Sequence, residues 1–150
     1  MKVDVDEPKT EAKVNEAHLG YIQGVITRMG QNSFQCKAWC ITLVSALLVI
    51  YLEQPNGKPH LECVYIAGAV VVLFGLLDTY YLYLERGYRY LYNVAAKLTT
   101  TVTVPPYEMT IPKEKRGLLQ YLRTIKSVTT GLFYGCVLVL LFLLVQFVKV

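Results

Sequence analysis

Histidine is almost missing from this 150-residue chain, which has His18, His60 and no other. The four cysteines, Cys36, Cys40, Cys63 and Cys136, include no pair at the spacing of a zinc or redox motif. Metal chemistry therefore has too few ligands, and the cysteines read as small apolar packing residues. A glycine-rich phosphate loop is missing, and so is an aromatic-basic platform for stacking bases. No nucleophile can be matched with a general base. The chain is therefore expected not to be an enzyme, to need no cofactor and to make no direct contact with nucleic acid. The first residues, MKVDVDEPKTEAK, lack the basic start and apolar core of a secretory signal. The first apolar span is then expected to act as an uncleaved insertion signal.

Apolar residues are abundant. They make up 54% of the chain, and the mean hydropathy is +0.38. A soluble domain sits nearer about 45–50% apolar. The excess is concentrated in three runs, which predict membrane spans at about 38–52, 63–84 and 128–148. The expected fold is an all-α membrane protein with three transmembrane helices. An amphipathic helix precedes them, and a long helix extends from the second span into the cytoplasm. Residues 1–10 are expected as a disordered tail and 11–150 as a single membrane domain, with a cytoplasmic loop over about 85–127.

From Glu11 to Phe34 the apolar residues Leu19, Ile22, Ile26 and Met29 recur at helical spacing. Gly20 and Gly24 form a small-residue pair on this helix, compatible with an interfacial helix or with a packing face for a second copy. Gly30 and Gln31-Asn32-Ser33 predict a break, with Asn32 or Ser33 capping the next helix. The first span, Ala38 to Leu52, is short; Lys37 can snorkel at its edge and Trp39 suits the interfacial belt. The turn EQPNGKPHL then predicts an antiparallel hairpin with Gly57 at its tip.

Counting outward from Gly57 at equal rise puts Lys37 and Asp78 at similar depth. Asp78 is expected to pair with Lys37 or with Arg28, an intramembrane ion pair, because an unpaired carboxylate in hydrocarbon is costly. An interfacial Asp in contact with headgroup water is the other reading. Beyond it, Tyr80, Tyr81, Tyr83, Tyr88, Tyr90 and Tyr92 crowd one segment, and an aromatic belt accounts for the first three. Asp78, Tyr81, Glu85, Tyr88, Arg89 and Tyr92 share one helical stripe. Glu85 and Arg89 form a favourable i, i+4 pair. This stripe reads as a solvated face in a monomer and as a subunit interface or pore mouth in a ring.

Leu98 to Gly117 reads as irregular. TTTVTV and Tyr107 to Ile111 are compatible with two short strands or with a flexible connector. Lys113, Lys115, Arg116, Arg123 and Lys126 then bring positive charge beside the apolar Leu118, Leu119, Leu122 and Ile125. They read as contacts for anionic lipid or a partner. In the last span Gly131 and Gly135 are spaced for oligomer packing. Lys113 to Val150 reads as one helix or two.

Eight Lys/Arg lie between Arg86 and Lys126 and five precede the first span, whereas the hairpin turn carries Lys58 alone. The positive-inside rule then puts the N-terminus and the basic loop in the cytoplasm and the C-terminus outside, in a multi-pass inner-membrane protein.

Two stretches carry a resemblance, YIQGVITRMGQNSFQCKAWCITLVSAL and FGLLDTYYLYLERGYRYLY. In Arg28, Asn32-Ser33-Phe34, Lys37, Trp39, Leu77-Asp78, Tyr80-Tyr81 and Glu85-Arg86 the chain resembles small prokaryotic membrane proteins associated with antiphage defence. More loosely, its architecture is similar to SLATT-type effectors and to the membrane accessory protein of type VI-B CRISPR systems. The resemblance implies a homo-oligomeric pore, an ion channel that permeabilises or depolarises the inner membrane in antiviral defence. Asp78, Glu85, Arg86 and Arg89 would then shape the pore mouth or its gating. The CRISPR-associated accessory protein is linked to an Arg-x-x-x-x-His motif, which this chain does not have, so ribonuclease chemistry is not implied. The alternative is a non-conducting membrane anchor that recruits a cytosolic defence effector through residues 88–126.

Overall fold

The computed structural model describes residues 7–53, 61–98, 105, 107–125 and 127–149, with backbone alone at 7–14, 61, 114, 148 and 149. Among the described residues four α-helices follow one another: α1 (Glu7–Leu52), α2 (Leu61–Ala95), α3 (Leu118–Ile125) and α4 (Val128–Lys149). A 3-10 turn at Lys113–Lys115 precedes α3. Among the described residues there is no strand. Stretches of α1, α2 and α4 (Asn15–Leu52, Glu62–Ala95 and Val128–Phe147) are long and apolar enough to cross a membrane. At 1.5 Å per residue, α4 is about 33 Å long, close to one hydrocarbon thickness of about 30 Å, whereas α1 and α2 are far longer.

α1 and α2 form an antiparallel hairpin in constant register. At one end Ile22 and Ile26 of α1 share a buried cluster with Leu91 and Ala95 of α2, packed by Tyr88, Tyr92 and Met109. At the other end Cys40 and Val44 are clustered with Ala67 and Val71, and here α4 adds Tyr134 and Leu141. The Tyr134 ring of α4 lies over Gly75, 3.5 Å from where a Cβ would be, an ordinary contact distance. The molecule is thus a three-helix bundle at one end and a two-helix hairpin at the other.

Several sequence expectations are corrected. The expected break at Gly30 to Ser33 does not occur, and neither Asn32 nor Ser33 caps a helix, because α1 is continuous over 46 residues. Each glycine costs a helix interior about 1 kcal/mol, but packing of α2 on both sides of Gly30, at Ile22 and Ile26 and at Cys40 and Val44, offsets that local penalty. The separate amphipathic helix is therefore the first part of α1. The helix already begins at Glu7, inside the expected tail, whose residues 1–6 lie outside the described residues. The stretch Tyr107 to Ile111 is not a strand. It has no strand beside it among the described residues and packs on the hairpin through Glu108, Met109 and Ile111. Residues 99–104, the other expected strand, and 54–60, the hairpin tip, lie outside the described residues.

α2 ends at Ala95 by a left-handed cap. Leu98 N–H donates to Asn93 O (2.9 Å) and Lys97 N–H to Val94 O (3.0 Å), with Lys97 at φ 56°. These two bonds satisfy carbonyls that a helix end leaves open. The region after Pro112 is two helices, not one. α3 ends where Ser127 N–H donates to Thr124 O, and Gly131 N–H returns to Ser127 O to start α4.

Candidate functional site

Between its two apolar clusters the hairpin carries a polar layer. Lys37 sits one turn after Ser33, so both reach the same side of α1. Lys37 Nζ lies 2.6 Å from Asp78 Oδ2 of α2 and donates to Ser33 Oγ at 3.0 Å. Ser33 Oγ in turn donates to Asp78 Oδ1. Asp78 is fully buried and the Lys37 side chain is 19% exposed. Both carboxylate oxygens are therefore engaged from α1, and the charge is balanced inside one protomer. Arg28, the other candidate partner, is exposed; it lies on the far side of α1, because five residues separate it from Ser33 on a helix of 3.6 residues per turn.

The acidic and aromatic stripe of α2 is turned the same way. Glu85 extends over Gly30, where a Cβ would lie 3.8 Å from Glu85 Oε2. It also holds Arg89 at 2.7 Å. Tyr88 and Tyr92 pack against the Ile22 and Leu91 cluster. Of the stripe expected as a solvated face or pore mouth, Asp78, Glu85, Tyr88 and Tyr92 therefore face α1 within a single chain, whereas the Arg89 side chain stays exposed. Asp78 and Glu85 carry the physical reason, since burying carboxylates becomes tolerable only where fixed partners meet them. Arg86 points elsewhere, and its Nη2 donates to Ser127 Oγ (2.9 Å) at the α3–α4 junction.

A second polar assembly lies further along α2. The connector docks through Tyr107, Glu108 and Ile111 as well as Met109. His18 is buried, and its Nε2 donates to Glu108 O at 3.0 Å. Tyr107 (φ 64°) sets its ring near those of His18 and Tyr21. Ile111 presses on Gly87, where a Cβ would stand only 2.8 Å from Ile111 Cδ1. α3 then sits beside α2. Tyr121 OH donates to Leu76 O (3.2 Å), its ring meets Tyr83 edge-on, and Gly117 N–H donates to Tyr83 OH. Leu118, Leu119, Leu122 and Ile125 all face outward, so α3 presents its apolar side away from the protein. Between α2, the 3-10 turn and α3 lies an open groove of about 320 Å³, lined in part by Arg86, Arg89, Lys115 and Arg123.

The remaining sequence candidates are spread over open surface. Lys113 and Arg116 are exposed and stand outside the groove, and the Lys126 position lies outside the described residues. Gly20, Gly24, Gly131 and Gly135 have nothing within 4 Å of where a Cβ would be, so none of the four packs inside the protomer. Among the described residues no three His, Cys, Asp or Glu side chains come together, and the four cysteines are free.

One feature escaped the sequence reading. Gly24, Gln31, Gln35, Ala38, Thr42 and Ser45 are all exposed, and their alternating three-, four- and seven-residue steps put them on one face of α1. That face is opposite the buried Ile26, Cys36, Cys40 and Val44. Thr42 Oγ1 donates to Ala38 O (3.0 Å), which satisfies its hydroxyl within the helix. The heptad-like recurrence of small and polar residues was the available signal. The expected break at Gly30 had divided it between two segments.

No protein-family model, curated protein or solved structure matches the chain. What the fold defines is a class: an all-helical protein with three helices long and apolar enough to cross a membrane.

Proposed function

We propose that the chain is a self-associating membrane protein whose copies assemble around the small and polar face of α1, forming a pore or perturbing the bilayer. That exposed face carries the reading. Lipid tails offer Gln31, Gln35 and Ser45 no hydrogen-bond partner, whereas a second copy or a water-filled lumen does. α4 is nearly all apolar and suits the lipid-facing position. Gly131 and Gly135 remain open for close helix contacts. In this arrangement the N-terminus, the far end of α2 and the basic connector lie in the cytoplasm of a bacterial cell, as the positive charge bias supports. The antiviral setting rests on the sequence resemblance alone.

The pore-mouth role moves from Asp78 and Glu85 to the α1 face, since Lys37 and Arg89 already hold those carboxylates. Planar-bilayer recording of an oligomeric preparation tests the reading. Conductance is expected, and Gln35→Leu with Thr42→Val is expected to abolish it while membrane insertion persists. Conductance unchanged in that variant would sink the α1 lining.

The closed Asp78 layer favours a second reading, a non-conducting anchor that recruits a cytosolic effector through the docked connector. A monomer in nanodiscs with no conductance at any protein density would establish it over the pore.

A further inference from the structure

The groove beside α2 has a composition that the folding of the chain does not require. Arg86, Arg89, Lys115 and Arg123 all line it, and its described lining contains no carboxylate. Arg89 is neutralised by Glu85, and Arg86 spends one N–H on Ser127. Lys115 stands 5.0 Å over the Tyr90 ring, a cation–π contact that positions the ammonium without cancelling its charge. Arg123 is exposed and forms no ion pair among the described residues. Bringing these cations together from three separate elements costs repulsion, which Glu85 offsets at Arg89 and no described carboxylate offsets at Arg86, Lys115 or Arg123. Asn93 and Gln120 add amide donors to the same lining.

We propose that this groove binds a phosphate group. Arginine and lysine converging with neutral amide donors, and no carboxylate among the described lining residues, match an oxyanion with several acceptor oxygens. The volume of about 320 Å³ is at the small end of ligand sites, which run to about 1,000 Å³. It suits a headgroup or a small phosphorylated solute better than a polymer. Two sources share that chemistry. The outward apolar face of α3, Leu118, Leu119, Leu122 and Ile125, suits a membrane surface and brings the groove within reach of a phospholipid headgroup. The opposite end, at Asn93, lies about 22 Å along α2 from Asp78 at 1.5 Å per residue, far enough to receive a soluble phosphate from water. The site is complete within one chain and does not depend on self-association.

The test uses the full chain in nanodiscs at fixed ionic strength, read by hydrogen exchange of residues 86–93 and 118–125. One arm titrates inorganic pyrophosphate into phosphatidylcholine discs. The other replaces part of the phosphatidylcholine by phosphatidylglycerol, with no soluble phosphate. Protection in the lipid arm identifies a headgroup site, protection in the pyrophosphate arm a soluble-phosphate site, and protection in both a site for the shared group. In each supporting case Lys115→Gln with Arg123→Gln weakens binding by about tenfold or more, the scale of losing charge-assisted hydrogen bonds. Lys113→Gln with Arg116→Gln removes the same charge outside the groove and leaves binding within about twofold, as surface charge at a distance is screened. Protection in neither arm overturns the proposal. So does an equal loss in the two variants, which reduces the effect to general surface charge.

Discussion

At the scale of single residues, Lys37, Ser33 and Asp78 set the chemistry of the hairpin. A buried ion pair is weak evidence for net stability, because desolvation consumes most of the attraction; removing one partner is what costs. Lys37→Ala, which leaves the fully buried Asp78 carboxylate without its cation, is expected to destabilise the protein by about 3–5 kcal/mol. Replacing both, Lys37→Met with Asp78→Leu, is expected to restore stability to within about 1 kcal/mol of the parent or to exceed it. Unfolding in mixed micelles by SDS titration measures the cycle. A double variant as unstable as the single one would mean that Asp78 does more than face Lys37. The proximity of Lys37 and Asp78 was legible in the sequence, since two charges at the ends of apolar runs need each other and the count from Gly57 set their register. The part played by Ser33 was not. Read locally, Asn32-Ser33 looks like a helix start, and only the carboxylate arriving from α2 gives the hydroxyl another use.

At the scale of elements, the end of α2 shows a local rule broken. The left-handed position of the cap is filled by Lys97, where glycine carries no Cβ penalty. Lys97→Gly is expected to raise stability by about 1 kcal/mol, the usual cost of a side chain in that conformation. Thermal unfolding in detergent checks it, and a lower midpoint would reveal a compensating contact of the lysine. Helix lengths were only partly legible. The apolar runs gave the membrane-crossing stretches, because hydropathy is a property of neighbouring residues. The continuity of α1 was not available in that way, since Gly20, Gly24 and Gly30 lower the local helix preference and the opposing contacts come from α2.

For the whole molecule, the question is how the connector is held. Ile111 Cδ1 already stands 2.8 Å from where a Gly87 Cβ would be, closer than real carbon contacts tolerate. Gly87→Ala is expected to push the connector off the hairpin at a cost of about 1–3 kcal/mol. Hydrogen exchange should then rise at Met109 to Ile111 while the register at Lys37 and Asp78 is kept. Unchanged exchange would mean that the segment shifts along α2 without undocking. Because Lys115 follows the connector directly, the same variant is expected to open the basic groove, so folding and ligand capture are coupled through one glycine.

The sequence by itself determined the membrane-scale layout: three apolar runs, a turn between the first two, and basic residues gathered after the second. Each of these is set by the composition of a short window against a hydrocarbon layer of fixed thickness. The tertiary structure decided what the polar residues do. It turned the Asp78 and Glu85 stripe inward onto α1, left the small and polar face of α1 open, and drew Arg86, Lys115 and Arg123 to one groove. Those outcomes depend on partners far apart in the chain, as in the 90-residue separation between His18 and Glu108. No local pattern specifies such a pairing, because its free energy exists only once the helices have packed.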